Sequence, residues 1–202
     1  MAAAYLLGSL PFSVWTGKWF FRTDVRKHGS GNAGATNTWR VLGWKAGLPV
    51  LLLDIGKGYA STWIPLLITS VKFEPELLLW MRIACGLCAA IGHIYPVFAG
   101  FRGGKAVATL MGIILGLMPL AAVCSLCVFL VTFFLLRYVS LGSVLAAISL
   151  PFFVILLIHP SVIPLLLFAG VIGVMVVLTH LKNLGRLLRN EEARVVLFRK
   201  RN

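Results

Sequence analysis

Val107 to Leu136, VATLMGIILGLMPLAAVCSLCVFLVTFFLL, decides the fold. The run carries no charge and is too long for one ordinary bilayer crossing, which takes ~20 apolar residues. Met118-Pro119 stands in its middle, where a proline lacks the N–H that a continuing helix uses. Whether this run is one helix or two sets the side of the membrane on which every later loop lies.

Working outward, further apolar runs occupy 2–20, 46–68, 77–98, 141–158 and 162–179. With 59% hydrophobic residues, 12% charged residues and a mean hydropathy of +0.94 over 202 residues, the chain is far more apolar than a soluble domain. It reads as one polytopic membrane domain, 1–202. Lys and Arg gather on the cytoplasmic side of short loops, and that rule chooses between the two counts. Splitting the central run into 107–117 and 120–136 puts Arg22, Arg26, Lys27, Arg40 and Lys45, then Arg102 and Lys105, then Arg137, on one side. The tail 180–202, with Lys182, Arg186, Arg189, Arg194, Arg199, Lys200 and Arg201, falls on that side too, and only Lys72 is left outside. A single helix would send the tail to the opposite face. The expectation is therefore an all-α membrane protein of seven transmembrane helices, N-terminus outside and C-terminus cytosolic, with its polar stretches on one face. Met1 to Tyr5 holds no basic residue, so the first span is expected to stay uncleaved.

A net charge of +13 would suggest nucleic acid in a soluble protein. Here the basic residues flank apolar runs, so they read as topology signals and anion contacts, with no nucleic-acid partner. Cys85-x-x-Cys88 and Cys124-x-x-Cys127 have zinc-like spacing, yet both lie within apolar runs, where a thiol serves as a small hydrophobe. No set of carboxylates or His/Cys converges, so neither a metal nor another cofactor is expected.

Four polar stretches carry the chemistry. Gly29 to Arg40, GSGNAGATNTWR, is glycine-rich and nearly free of apolar bulk. Gly29, Gly31 and Gly34 can take positive φ and form a concave nest of N–H groups. Ser30, Asn32, Thr36 and Asn37 add side-chain donors and Arg40 a planar fork, a set suited to phosphate. Phe101-Arg102-Gly103-Gly104-Lys105 offers a Gly-Gly turn at a helix start, where unpaired N–H groups and a lysine favour an anion. Ala99 and Ala106 stand where a Walker A loop needs glycine and a hydroxyl, so a nucleotide is not implied. In Arg137 to Ser143, RYVSLGS, Ser140 and Ser143 are one turn apart and can cap a helix or meet a ligand oxygen. His180, Asn183 and Arg186 recur every three residues and share a face if the last helix continues. Asp54 and Lys57, spaced i,i+3 in an apolar run, read as a structural clasp ahead of a pocket wall. Arg82 is expected to snorkel.

Taken in order, YLLGSLP (5–11), GSGNAGATNTWR (29–40), D-x-x-K-G (54–58), GHIYPVF with GGK (92–105), RYVSLGS (137–143) and HLKNLGRLL (180–188) resemble the bacterial acyl-phosphate:glycerol-3-phosphate acyltransferases, the PlsY family. The resemblance implies transfer of a fatty acyl group from acyl phosphate to the sn-1 hydroxyl of glycerol 3-phosphate, giving lysophosphatidic acid and phosphate at the cytosolic face of the bacterial inner membrane. It implies catalytic roles for Ser30, Asn32, Arg40, Lys105, His180 and Asn183. Substrate contacts are implied for Gly31, Gly34, Thr36, Asn37, Gly103, Gly104, Ser140 and Ser143. Ser13, Arg102 and Ala106 depart from the family's usual Gly, Lys and Gly. Asn190-Glu191-Glu192 stands for the usual Gly-Thr-Glu, so no role is assigned to a tail acid. The basic tail is a surface on which a soluble acyl-phosphate-producing enzyme could dock, and membrane lipid is the other partner.

No His is followed four residues later by Asp: Val97 follows His93 and Leu184 follows His180. A substrate phosphate oxygen is the expected proton acceptor, with His180 as the competing base. A transporter of a phosphate-bearing anion is the alternative from another class. It would carry internal repeats and polar groups near mid-bilayer, and neither is found here.

Overall fold

In the computed structural model, which describes residues 1–67, 73–158 and 163–195, the uncharged central run breaks at its proline. Met118, just before Pro119, lies outside the helical region at φ −148° and ψ 71°, as pre-proline sterics favour. Regular structure among the described residues is helical: α1 Ala2–Gly8, α2 Phe12–Phe21, α3 Ala35–Leu42, α4 Trp44–Ser61, α5 Pro75–Ile94, α6 Val107–Leu117, α7 Pro119–Leu136, α8 Val139–Leu157 and α9 Ile163–Leu188, with short 3-10 turns between some of them. Among the described residues, four stretches are long and apolar enough to cross a membrane: Pro75–Ala99, Pro119–Leu136, Val139–Leu157 and Ile163–Leu188. The 11 residues of α6 rise only ~16 Å, about half of a ~30 Å hydrocarbon core. The expected positions of Ile68, Lys72, His159, Val162 and the tail beyond 195 lie outside the described residues.

Three elements differ from the sequence expectation, the first being the run 46–68, whose helix α4 ends at Ser61 and is followed by a 3-10 turn at Ile64–Leu67. The run 2–20 is two helices, because Pro11 cannot donate and instead starts α2, its carbonyl accepting from the N–H of Val14 and of Trp15 at 3.0 Å. The last helix runs past 179 to Leu188, since HLKNLGRLL contains no proline and only one glycine. His180, Asn183 and Arg186 are therefore helical.

The chain forms two compact units, 1–119 and 120–202. In the first, α4 is central and packs on α3, α5 and α6, while α1 lies on α5. Glycines allow these close approaches. A Cβ on Gly58 would strike the carbonyl of Thr109, one on Gly112 the carbonyl of Ile55, and one on Gly8 the backbone of Ala89. Arg82 does not snorkel. Its Nε donates to Thr62 O at 3.0 Å and its Nη2 to Gly116 O at 2.7 Å, so it ties together the C-terminal ends of α4 and α6. In the second unit α8 packs along α9, burying Leu150 and Val154 on one helix and Phe168, Ala169 and Ile172 on the other.

Candidate active site

The Gly29–Gly34 loop takes its shape from one buried side chain, Asn37, which is 2% exposed. The Asn37 Nδ2 amide points at three carbonyls, Val25 O at 2.8 Å, His28 O at 3.1 Å and Asn32 O at 3.0 Å, and Oδ1 accepts from Ser30 N at 2.8 Å. The Asn37 amide is thus spent on the loop instead of pointing outward as a donor. Gly29 and Gly31 have φ of +61° and +72°, and a Cβ on Gly29 would strike Asn37 Oδ1. Gly34 differs from expectation. It is extended at φ −135° and ψ 167°, because it is the residue that starts α3, where a β-region backbone is the norm. Ser30, Gly31, Thr36 and Arg40 are exposed on this loop and helix, and Asn32 is half-buried.

A second loop is fastened to the first. Asp24 accepts from Arg26 Nε at 3.0 Å and Nη2 at 2.7 Å, and Arg26 Nη1 reaches Ala99 O at 2.7 Å. The Arg26 hydrogen bond and charge hold the Asp24 carboxyl down at about 2 against the opposing effect of burial. Ala33 N donates to Gly103 O at 3.4 Å. The Gly-Gly turn corrects the sequence reading. Gly103 N donates to Ile94 O and Gly104 N to His93 O, each at 3.1 Å, so these two amides cap the end of α5 and are not open to an anion. Helix α6 begins only at Val107, after Ala106 in the left-handed region at φ 61°. Lys105 lies half-buried between the turn and that helix.

Beneath this turn is a charged cluster. Lys57 Nζ lies 2.8 Å from Asp54 Oδ1, with both side chains 2% exposed. His93 Nδ1 is 3.5 Å from the same oxygen, and Lys57 Nζ also donates to Leu10 O at 2.9 Å in the break between α1 and α2. Gly8, Pro11, Ala33 and Gly103 join these residues around a cavity with room for little more than a water molecule. The i,i+3 clasp is present and has gained a third member.

In the second unit the chain reverses after α9 at Asn190, left-handed at φ 57°, a conformation Asn tolerates better than other side-chain-bearing residues. Asn190 can thus occupy the position where glycine is usual. The returning segment brings Glu192 to three donors: Ser140 Oγ at 2.8 Å and Asn183 Nδ2 at 2.6 Å on Oε1, and Arg186 Nε at 2.8 Å on Oε2. Burial pushes the Glu192 carboxyl up, but the hydrogen bonds from Asn183, Arg186 and Ser140 outweigh it and hold the group below its ordinary value. Arg194 Nε donates to Tyr138 OH at 3.1 Å, and Val195 N to Arg137 O at 3.0 Å, fixing the return. Ser143 Oγ bonds back to Val139 O at 2.8 Å, so neither serine caps α8. His180 is buried, and its Nδ1 sits 2.8 Å from Val176 O. A carbonyl only accepts, so Nδ1 carries the proton and Nε2 is the basic nitrogen of the neutral ring.

The glycine loop and lysine-bearing turn of the first unit, and the buried His–Asn helix face of the second, accompany a matching ancestry. The family model described as glycerol-3-phosphate acyltransferase matches residues 1–190. The chain belongs to the glycerol-3-phosphate acyltransferase family. Among relatives of that name, one from Chlorobaculum parvum is 37% identical over 99% of this chain and 97% of its own. Glycerol-3-phosphate acyltransferase 2 of Bacillus anthracis is 42% identical over 96% of both chains. Two solved structures of PlsY, an integral membrane glycerol 3-phosphate acyltransferase, are 38% identical to this chain. The glycerol 3-phosphate form superposes with a TM-score of 0.84 over 96% of this chain and 93% of that one, and the lysophosphatidic acid form with 0.81 over 96% and 92%. The protein is a multi-pass membrane acyltransferase of this family.

For a glycerol-3-phosphate acyltransferase, two features, one in each unit, escaped sequence reasoning. His93 joins Asp54 and Lys57 from another helix, and only the cost of two ionisable side chains in an apolar run hinted that a further partner was needed. Glu192 gathers Ser140, Asn183 and Arg186, although its neighbourhood departs from the usual motif. Its position a few residues beyond a donor-rich helix end was the available signal.

Proposed function

We propose that the acyl donor is acyl phosphate and that its fatty acyl group passes to the sn-1 hydroxyl of glycerol 3-phosphate, giving lysophosphatidic acid and inorganic phosphate. The observation that carries this is the Gly29–Arg40 segment: a loop preshaped by Asn37, with Ser30, Thr36 and Arg40 exposed along it, suited to phosphate. Ser30, Gly31, Asn32, Thr36 and Arg40 contact a phosphate group. Lys105 supplies charge, while Gly103 and Gly104 shape its turn and Gly34 starts α3. His180 and Asn183 are catalytic, and Ser140 and Ser143 line the approach to the acyl phosphate. Glu192 orients Asn183 and Ser140.

Acyl phosphate is already activated, so a phosphate oxygen of a substrate takes the hydroxyl proton while donors stabilise the tetrahedral oxyanion. Were His180 the base, it would act through Nε2. Seven crossings with the N-terminus outside and the C-terminus cytosolic, in the bacterial inner membrane, fit the basic loops. A soluble enzyme that makes acyl phosphate docks on the basic tail.

The test is lysophosphatidic acid formation from glycerol 3-phosphate by detergent-purified protein, with palmitoyl phosphate or palmitoyl-CoA as the donor and phosphate release followed for the former. Product from palmitoyl phosphate alone among the donors is expected, and product from the thioester alone overturns the proposal. His180→Gln tests the base: most of the turnover is retained across pH if substrate phosphate takes the proton, and is lost if His180 does.

A further inference from the structure

The Asp54–Lys57–His93 cluster touches several segments at once. Asp54 and Lys57 come from α4 and His93 from the last turn of α5, while Lys57 reaches Leu10 O in the α1–α2 break. The same residue His93 supports the Gly103–Lys105 turn in two ways. Its carbonyl accepts from Gly104 N at 3.1 Å, and its ring lies so close to Gly104 that a Cβ there would strike Nε2. Through Gly103 O the turn accepts Ala33 N, at 3.4 Å, from the Gly29–Gly34 loop. Asp54, Lys57 and His93 are 1%, 4% and 6% exposed, and the cavity beside them is too small for either substrate, so none of them touches a reactant.

A charged cluster buried this deeply is costly unless its geometry is well satisfied. An apolar set would pack α4 on α5 at less cost, whereas an ion cluster fixes direction as well as distance. We propose that His93, anchored by Asp54 and Lys57, is a positioning residue that sets the height of the Gly103–Lys105 turn and, through Ala33, of the glycine loop, so that both loops present their donors to the phosphate of a substrate. This rests on the reading that these loops bind phosphate.

The experiment compares His93→Ala, His93→Asn and Gly104→Ala in the full-length protein, measuring KM and kcat for both substrates and, by calorimetry, affinity for glycerol 3-phosphate and for inorganic phosphate. His93→Ala and Gly104→Ala are expected to raise at least one KM about 10-fold or more, with kcat within about 3-fold. His93→Asn, whose amide nitrogen stands where Nδ1 does beside Asp54, should recover KM to within about 3-fold of the parent. A proportional loss of kcat with both KM values unmoved overturns the proposal, because it shows lost folding or lost chemistry in place of lost positioning. If His93→Ala does not yield a monodisperse protein, Gly104→Ala, whose Cβ forces the turn and the His93 ring apart, decides alone. Should the parent protein release no phosphate from palmitoyl phosphate, the donor reading fails separately. Calorimetry then decides: affinities for glycerol 3-phosphate and inorganic phosphate both unchanged in Gly104→Ala would overturn the positioning role.

Discussion

Asn183 Nδ2 donates to Glu192 Oε1 at 2.6 Å, and the same oxygen accepts Ser140 Oγ at 2.8 Å. One carboxylate oxygen thus joins α8, α9 and the returning segment, while its twin holds Arg186 at 2.8 Å. Glu192→Gln replaces one oxygen by an NH2 group that either faces Arg186 or leaves Asn183 and Ser140 without an acceptor. Losing charge-assisted bonds at a side chain only 8% exposed should cost about 1–3 kcal/mol. Turnover is expected to fall at least about 10-fold, with a lower thermal midpoint. Glu191→Gln is the contrast, because its bond to Arg189 joins side chains 56% and 62% exposed and is worth little. Equal effects of the two substitutions on turnover would show that Glu192 has no organising role.

Acid should loosen the loop region before it unfolds the helices. The Asp24 carboxyl is lowered from 3.8 to about 2 by its hydrogen bonds and charge contact with Arg26. A depressed folded value means that the contribution to stability is complete above the unfolded value and fades as pH falls through the folded one. The difference in thermal midpoint between the parent and Asp24→Asn should therefore be constant above about pH 4 and vanish towards pH 2. A difference that persists unchanged at pH 2 would deny the ion pair any such part.

The helical class, the break at Pro119 and the four long apolar helices were legible in the sequence, because apolar length and proline act locally. So was the i,i+3 pairing of Asp54 with Lys57, since helix geometry alone brings them together. What was not legible depends on contacts distant in sequence. Gly103 and Gly104 read as open anion donors, but the α5 end that consumes their amides is fixed by how the chain turns at Pro96. Asn37 read as a ligand donor by composition, and only the folded loop shows its amide turned inward to three carbonyls. Arg82 read as snorkelling because nothing local reveals that two helix ends converge on it.

The α4–α6 contact depends on missing side chains. Gly112 faces the carbonyl of Ile55, and Gly58 faces that of Thr109, closer than any Cβ could tolerate. Gly112→Ala must push the helices apart, at a cost of about 1–3 kcal/mol. Gly56, on α4, has nothing within 4 Å of where a Cβ would stand, so Gly56→Ala should be neutral or stabilising by up to about 1 kcal/mol. Thermal unfolding in detergent separates them, and a Gly56→Ala loss matching that of Gly112→Ala would mean that close packing at Gly112 is not what sets its cost.

Arg82 gives the last test. Its guanidinium donates to Thr62 O and Gly116 O, carbonyls near the ends of α4 and α6, and lies 5.7 Å from the Trp63 ring centroid. Terminal carbonyls have no partner within their own helix, and in apolar surroundings each needs a donor from elsewhere. The planar fork serves both at once. Arg82→Lys offers a single ammonium that cannot reproduce that fork, and Arg82→Leu offers none. Hydrogen bonds from a charged donor are worth about 1.5–3 kcal/mol, so thermal midpoints should fall in the order parent, Arg82→Lys, Arg82→Leu. Arg82 binds the C-terminal end of α6, whereas the Gly103–Lys105 turn precedes its N-terminal end, so turnover per folded molecule should stay near that of the parent. Equal midpoints for Lys and Leu would reduce the arginine to a packing stem. A collapse of turnover in well-folded Arg82→Lys would instead couple this clamp to the chemistry.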